Sequence, residues 1–274
     1  MRAARLLVAA ALATTSAATV LAAPPADAPA LPIEVLPWFD GGDGPQRPDA
    51  TDLAGTALRA DTDWWALACE RECRLQPLRL VAAQPATVTL QYNGDTPGQH
   101  LRFAPAPPRG TLLLFHALRP VFAKHPLKAG PVPSGHPVGD APHVHPGESP
   151  AGDREVLVDL QDRGPWLLSP TLLKPAKADA GGDYADVSGW PLSLDLRVGR
   201  QHQSLGLLAS CGDITWRDYL RWAGDLDGDG RPDFVVQLDL ALGSEIVLFL
   251  SSLAGRGQFV GEAGHSHLDF EGEC

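Results

Sequence analysis

Apolar side chains in this 274-residue chain recur at every second position, and no segment sustains the 3.6-residue period of an amphipathic helix. Trp190 to Val198 alternates through Leu192, Leu194, Leu196 and Val198, and Thr111 to Leu118 is the continuous apolar run expected of a central strand. Leu75, Leu78 and Leu80 lead into Ala86 to Tyr92, which ends at the turn signal Asn93-Gly94. Phe234 to Leu240 and Glu245 to Ser251 flank a four-residue connection, Ala241 to Ser244, and read as a hairpin. Phe234, Val236, Leu238 and Leu240 share a face on its first arm, and Ile246, Leu248 and Leu250 share one on its second. With 26 prolines and 28 glycines the chain turns often, which argues against a helical bundle. The expected fold is mainly β: antiparallel sheets in a sandwich or partial propeller-like arrangement, a C-terminal hairpin and few helices.

Residues 1–22 have the grammar of a secretory signal. Arg2 and Arg5 precede the apolar run Leu6 to Leu12, and Val20-Leu21-Ala22 offers a small-residue cleavage site. Residues 23–30 form an Ala/Pro-rich leader. The rest divides into an N-terminal β region at 31–121, a Pro/Gly/His-rich loop at 122–153 and a C-terminal β region at 154–274. That loop is a candidate domain boundary, although a single domain with a long insertion accounts for it equally well.

The expected location is periplasmic or extracellular, and no later segment has the roughly 18 consecutive apolar residues of a transmembrane helix. Removing residues 1–22 deletes two arginines and no acid, moving the formal charge from −11 to −13. A balance that negative argues against a nucleic-acid partner, whose phosphates need a basic face.

Four cysteines in an exported chain read as two disulfides with three possible pairings. Cys69 and Cys73 bracket Glu70-Arg71-Glu72 in a strand–turn–strand pattern that places the sulfurs across a hairpin, which leaves Cys211 to pair with Cys274. Chain entropy makes the short bridge worth about 2 kcal/mol and the long one about 4 kcal/mol. Cys211 as a catalytic thiolate is the rival reading.

The most specific chemistry lies at residues 225–233. Asp225, Asp227, Asp229 and Asp233 occupy loop positions one, three, five and nine, Gly228 and Gly230 permit a tight turn, and Arg231 can offer its backbone carbonyl. Four carboxylates this close repel one another, and a hard divalent cation with oxygen ligands relieves the repulsion; the spacing points to Ca2+. Val236 stands where an EF-hand needs its twelfth-position glutamate, and a strand, not a helix, follows the loop.

Trp222 to Val236 closely resembles the calcium loop of FG-GAP/VCBS-type repeats, found in integrin-like β-propeller blades. The resemblance implies a loop joining two strands, with Asp225, Asp227, Asp229 and Asp233 as side-chain ligands, Arg231 as a carbonyl ligand and a structural role for the ion. The pattern occurs once, since Asp40-Gly41-Gly42-Asp43-Gly44 and Asp183-Tyr184-Ala185-Asp186 lack the spacing. A single calcium-clamped β module is therefore expected. The wider chain resembles exported bacterial proteins with one such loop near a C-terminal cysteine.

Other constellations are less specific. His125, His136, His143 and His145, with Glu148, suggest a Zn or Cu site, against which stands a polar surface loop. His265-Ser266-His267 reads the same way. Trp64-Trp65 and Trp216 with Trp222 fit a sugar-stacking platform, but at strand positions they fit a core better. No His-Glu-x-x-His, Gly-x-Ser-x-Gly, phosphate-loop or dinucleotide motif is present. The expected function is a non-catalytic, calcium-binding exported protein with a protein or glycan partner. The alternatives are a secreted hydrolase with a structural calcium, or a His-rich Zn/Cu-handling protein.

Overall fold

The structure is a computed structural model that describes residues 30–37, 50–54, 58–90, 94–135, 144–146, 155–160, 165–172, 191–209, 214–240 and 243–268. The signal-like residues 1–22, Cys211, Cys274, His136, His143 and Glu148 lie outside these residues, and of His145 and His267 only the backbone is described.

Among the described residues the chain is mainly β, with three antiparallel sheets and no closed barrel. The first sheet contains β1 (Ile33–Pro37), β2 (Ala50–Ala54), β3 (Thr62–Cys69), β4 (Cys73–Leu90), β5 (Gly94–Ala104), β6 (Thr111–Ala117) and β7 (Gly130–Pro131). Its order is β1-β6-β3-β4-β5-β2, with β7 beside β4. The apolar run at Thr111 is β6, flanked by β1 and β3, with Leu113, Leu114 and Phe115 fully buried. The β4–β5 pairing runs to Leu90↔Gly94, and Asn93 of the turn signal lies outside the described residues.

The second sheet has the order β13-β12-β11-β10-β9, from β9 (Val144–Pro146), β10 (Val156–Val158), β11 (Trp166–Leu172), β12 (Pro191–Val198) and β13 (Gln201–Ala209). The alternation read at Trp190 to Val198 is β12, where Leu192, Leu194 and Leu196 are buried. The third sheet has the order β17-β16-β15-β14-β8, from β8 (Ser134–Gly135), β14 (Leu220–Gly224), β15 (Asp233–Leu240), β16 (Gly243–Leu250) and β17 (Gly261–Leu268). The single α-helical turn among the described residues, α1 (Trp216–Tyr219), begins at Thr215, whose N–H and Oγ both donate to Asp218 Oδ2 at 2.6 and 2.9 Å, and a 3-10 turn spans Ser251–Leu253. No helix of the described residues is long and apolar enough to cross a membrane.

The hairpin β15–β16 is buried on both faces. Its two apolar stripes lie on opposite faces of the sheet. Phe234 pairs with Phe249 and Val235 with Leu248. Phe234, Val236, Leu238, Val247 and Phe249 therefore pack with β11 and β12, while Val235, Ile246, Leu248 and Leu250 pack with β1, β3 and β6. The physical reason is that the third sheet is covered on both sides, so β16 reads as the unbroken run Ile246 to Leu250. Each such fully buried side chain contributes about 1.5–3 kcal/mol over an exposed one. The hairpin connection is shorter than expected, since the strands pair to Leu240↔Gly243.

The N-terminal and C-terminal β regions share this core. Ile33, Val35, Leu113 and Phe115 cluster with Trp222, Ile246 and Ala263. A Cβ on Gly264 would stand 2.3 Å from the Ile33 carbonyl oxygen, so only glycine lets β1 lie this close to β17. The 122–153 segment, read equally as a boundary or as a long insertion, contributes β7, β8 and β9 to three different sheets.

Of the tryptophans weighed between a core and a sugar-stacking platform, Trp64, Trp216 and Trp222 are buried, as the core reading has it, and Trp65 is half-buried. Trp64 stands edge-on to Phe103 at 5.8 Å. The Cys69–Cys73 bridge is present, closing the β3–β4 turn where the two cysteines are register partners.

Candidate metal centre

The aspartate loop connects β14 to β15, and the Gly224↔Asp233 pair closes its neck. Gly228 and Gly230 adopt φ of 74° and 79°, the left-handed region that glycine enters without a Cβ clash. Between them the aspartates bend the backbone in short steps. Asp229 N–H donates to Asp227 Oδ1 at 3.2 Å, and Arg231 N–H donates to Asp229 Oδ1 at 2.8 Å. These contacts two residues apart are how Asp side chains stabilise turns. Across the loop, Gly230 N–H donates to Asp225 Oδ2 at 3.0 Å. Asp225 N–H in turn donates to the Pro133 carbonyl at 2.8 Å, tying the loop to the residue before β8.

The result is convergence of carboxylates. Asp225, Asp227 and Asp229 each present an oxygen, all within 4.8 Å of one another. Two oxygens on opposite sides of an ion with bonds of 2.3–2.6 Å stand roughly 4.6–5.2 Å apart, so the group could hold one cation. Asp225 Oδ1 is buried without a hydrogen-bond partner. Burial raises the Asp225 carboxyl above its ordinary range, and the charges of Asp229 and Asp227 raise it further, against N–H groups of Gly230 and Gly228. Asp227 rises for the same first reason, with Asp229 adding to it and His125 opposing it. The protein alone thus leaves these charges under-compensated, and a bound cation would favour their ionised forms.

Asp233 occupies a different place from the other three. It is wholly buried in the neck, where its Oδ2 accepts from Leu226 N–H and its Oδ1 from Ser251 N–H, both at 2.7 Å. Burial pushes its carboxyl well up, and Asp227 and Asp229 add to the rise. Each carboxylate oxygen retains a second lone pair after such a bond. The donor set is all oxygen and carboxylate-rich, which suits a hard cation and differs from Zn or Cu sites built on His or Cys.

Arg231 does more than the sequence suggested. Its guanidinium donates through Nη2 to the Phe259 carbonyl at 2.8 Å and through Nη1 to the Ser251 carbonyl at 3.5 Å, and it lies 5.9 Å from the Trp166 ring centroid. The side chain thereby joins the loop to the β16–β17 connection and to β11. Ser251 itself was also missed: its Oγ donates to Asp229 Oδ2 at 2.8 Å. No local pattern signals a partner 22 residues away.

The outer side of the loop faces a cleft of about 300 Å³ lined by Asp225, Asp227, Lys124, His125 and Lys128, among others. Of the histidines considered for Zn or Cu, His125 thus stands beside the aspartates. His265 pairs with Glu262 at 2.7 Å on the surface of β17. A second cleft, of about 580 Å³, lies beside the disulfide turn. Its carboxylates, Glu70 and Glu72, pair with Arg109 at 3.8 Å and Arg74 at 3.3 Å, and its lining includes no serine, cysteine or histidine.

Compared with protein-family models, with curated proteins and with solved structures, the chain matches none. The loop's own chemistry therefore carries the functional argument.

Proposed function

We propose that this is an exported calcium-binding protein, a non-catalytic binding or structural component of the bacterial periplasm or cell surface that engages a protein or glycan partner. The ion is held by Asp225, Asp227 and Asp229, with Asp233 behind them and the Arg231 backbone carbonyl completing the protein's share of the shell. The observation that carries the reading is the buried, unpartnered Asp225 Oδ1 beside two further carboxylates within 4.8 Å. A buried charged oxygen left without a partner costs the fold more than an ordinary missing hydrogen bond, and a divalent cation removes that cost. The FG-GAP/VCBS resemblance of Trp222 to Val236 and the signal-like residues 1–22 support the same reading.

The test is thermal unfolding of chelator-treated protein with and without added calcium. At free calcium about a hundredfold above its Kd, stability rises by about 2.7 kcal/mol. Asp229→Ala removes that response. Identical melting of wild-type protein in calcium and in chelator overturns the proposal.

A further inference from the structure

We infer that Ser251 and Ser252, on the 3-10 turn that follows β16, are positioning residues of the calcium site, holding Asp229 and Asp227 in the orientation that receives the ion. The inference rests on the calcium reading above.

Three carboxylates aimed at one point can hold their directions only if donors fix them from the side away from that point. Backbone N–H groups within the loop serve Asp225 Oδ2, Asp227 Oδ1 and Asp229 Oδ1. The remaining directional control comes from outside the loop. Ser251 Oγ donates to Asp229 Oδ2 at 2.8 Å, and the Ser252 side chain hydrogen-bonds Asp227.

The turn is itself fixed. Ser251 is 1% exposed, so little water competes for its hydroxyl. Its N–H is committed to Asp233 Oδ1 at 2.7 Å, and its carbonyl accepts both the Ala254 N–H at 3.1 Å and Arg231 Nη1. The strand register brings this about: Phe234↔Phe249 sets the end of β16 beside the start of β15, so the turn meets the loop's neck. Ser251 and Ser252 therefore act on the ion through the carboxylates, as outer hydrogen-bond partners do at metal sites generally.

The two serines differ in burial, which makes the inference testable. Ser252 is exposed, so losing its hydroxyl leaves the packing untouched. Full-length protein, stripped with chelator, is titrated with calcium in competition with a chromophoric chelator. Wild type is compared with Ser251→Ala, Ser252→Ala and Ser252→Thr, and melting of the metal-free forms is recorded alongside. Each alanine variant is expected to raise the calcium Kd by about 10- to 100-fold. Ser252→Ala should do so with the metal-free melting temperature unchanged, and Ser252→Thr should restore wild-type affinity. Wild-type Kd in both alanine variants overturns the inference, as does a loss at Ser252→Ala that threonine fails to restore. If wild type itself does not compete for calcium, the underlying calcium reading fails instead.

Discussion

At the scale of single residues, the site is defined by which carboxylate oxygens the protein satisfies and which it leaves. Asp225 shows the conflict most directly, because its Oδ2 takes the Gly230 N–H while its buried Oδ1 takes nothing. Without an ion, its charge is a liability to the fold; under the calcium proposal, it is a ligand. Asp225→Asn should therefore move two measurements in opposite directions, weakening calcium binding by more than about tenfold while raising the melting temperature of the metal-free protein.

The pH dependence follows from the sign of the shift. In the metal-free fold the Asp225 carboxyl binds its proton more tightly than in the unfolded chain, where its ordinary value is 3.8. The native state therefore holds more protons, and this group's contribution to stability falls as pH rises from 3.8 through the raised folded value. Below that window wild type carries a neutral acid at 225, much like Asn. The melting-temperature gain of Asp225→Asn should then be small in acid and open as pH rises, in melts followed by circular dichroism in chelator. A gain independent of pH would show that charge is not its source.

At the scale of elements, what could be read in the sequence was what is encoded locally. The aspartate spacing and its two glycines lie within nine residues, and the Cys69–Cys73 bridge spans one turn, so both were legible. The β15 and β16 stripes were legible as stripes, but which face each served was not. That depends on the register Phe234↔Phe249 and on a second layer formed by strands far off in the chain. Ser251 and the guanidinium partners of Arg231 were illegible for the same reason, since they meet the loop only through that register.

The two-sided burial of β16 has a consequence that a sheet with one wet face would not share. Leu248→Ala, facing β1, β3 and β6, should cost about 2–5 kcal/mol, and Phe249→Ala, facing β11 and β12, about 3–5 kcal/mol. Urea unfolding checks both. A cost below about 1 kcal/mol for either one would mean that its face is not covered.

At the scale of the whole molecule, the loop is continuous with the layers. Leu226, from within the loop, is 3% exposed in the cluster that also contains Trp222, Cys69, Cys73 and Leu248, so the loop shares the core joining the first and third sheets. Asp225 N–H reaches Pro133 beside β8, Asp233 reaches Ser251 at the end of β16, and Arg231 reaches Phe259 before β17 and Trp166 on β11. An ion that fixes Asp225, Asp227 and Asp229 therefore acts on the connections of most of the third sheet and on one contact of the second. This predicts a distributed response in native-state hydrogen exchange. Adding calcium should slow exchange at Gly230, Arg231 and Leu226 within the loop, and also at Ser251, whose N–H is held by the Asp233 carboxylate. In Arg231→Ala the loop amides should still be protected by calcium, while protection gained around Phe259 should be lost. Protection confined to residues 225–231 in wild type would make the loop a local ion holder rather than a clamp on the fold.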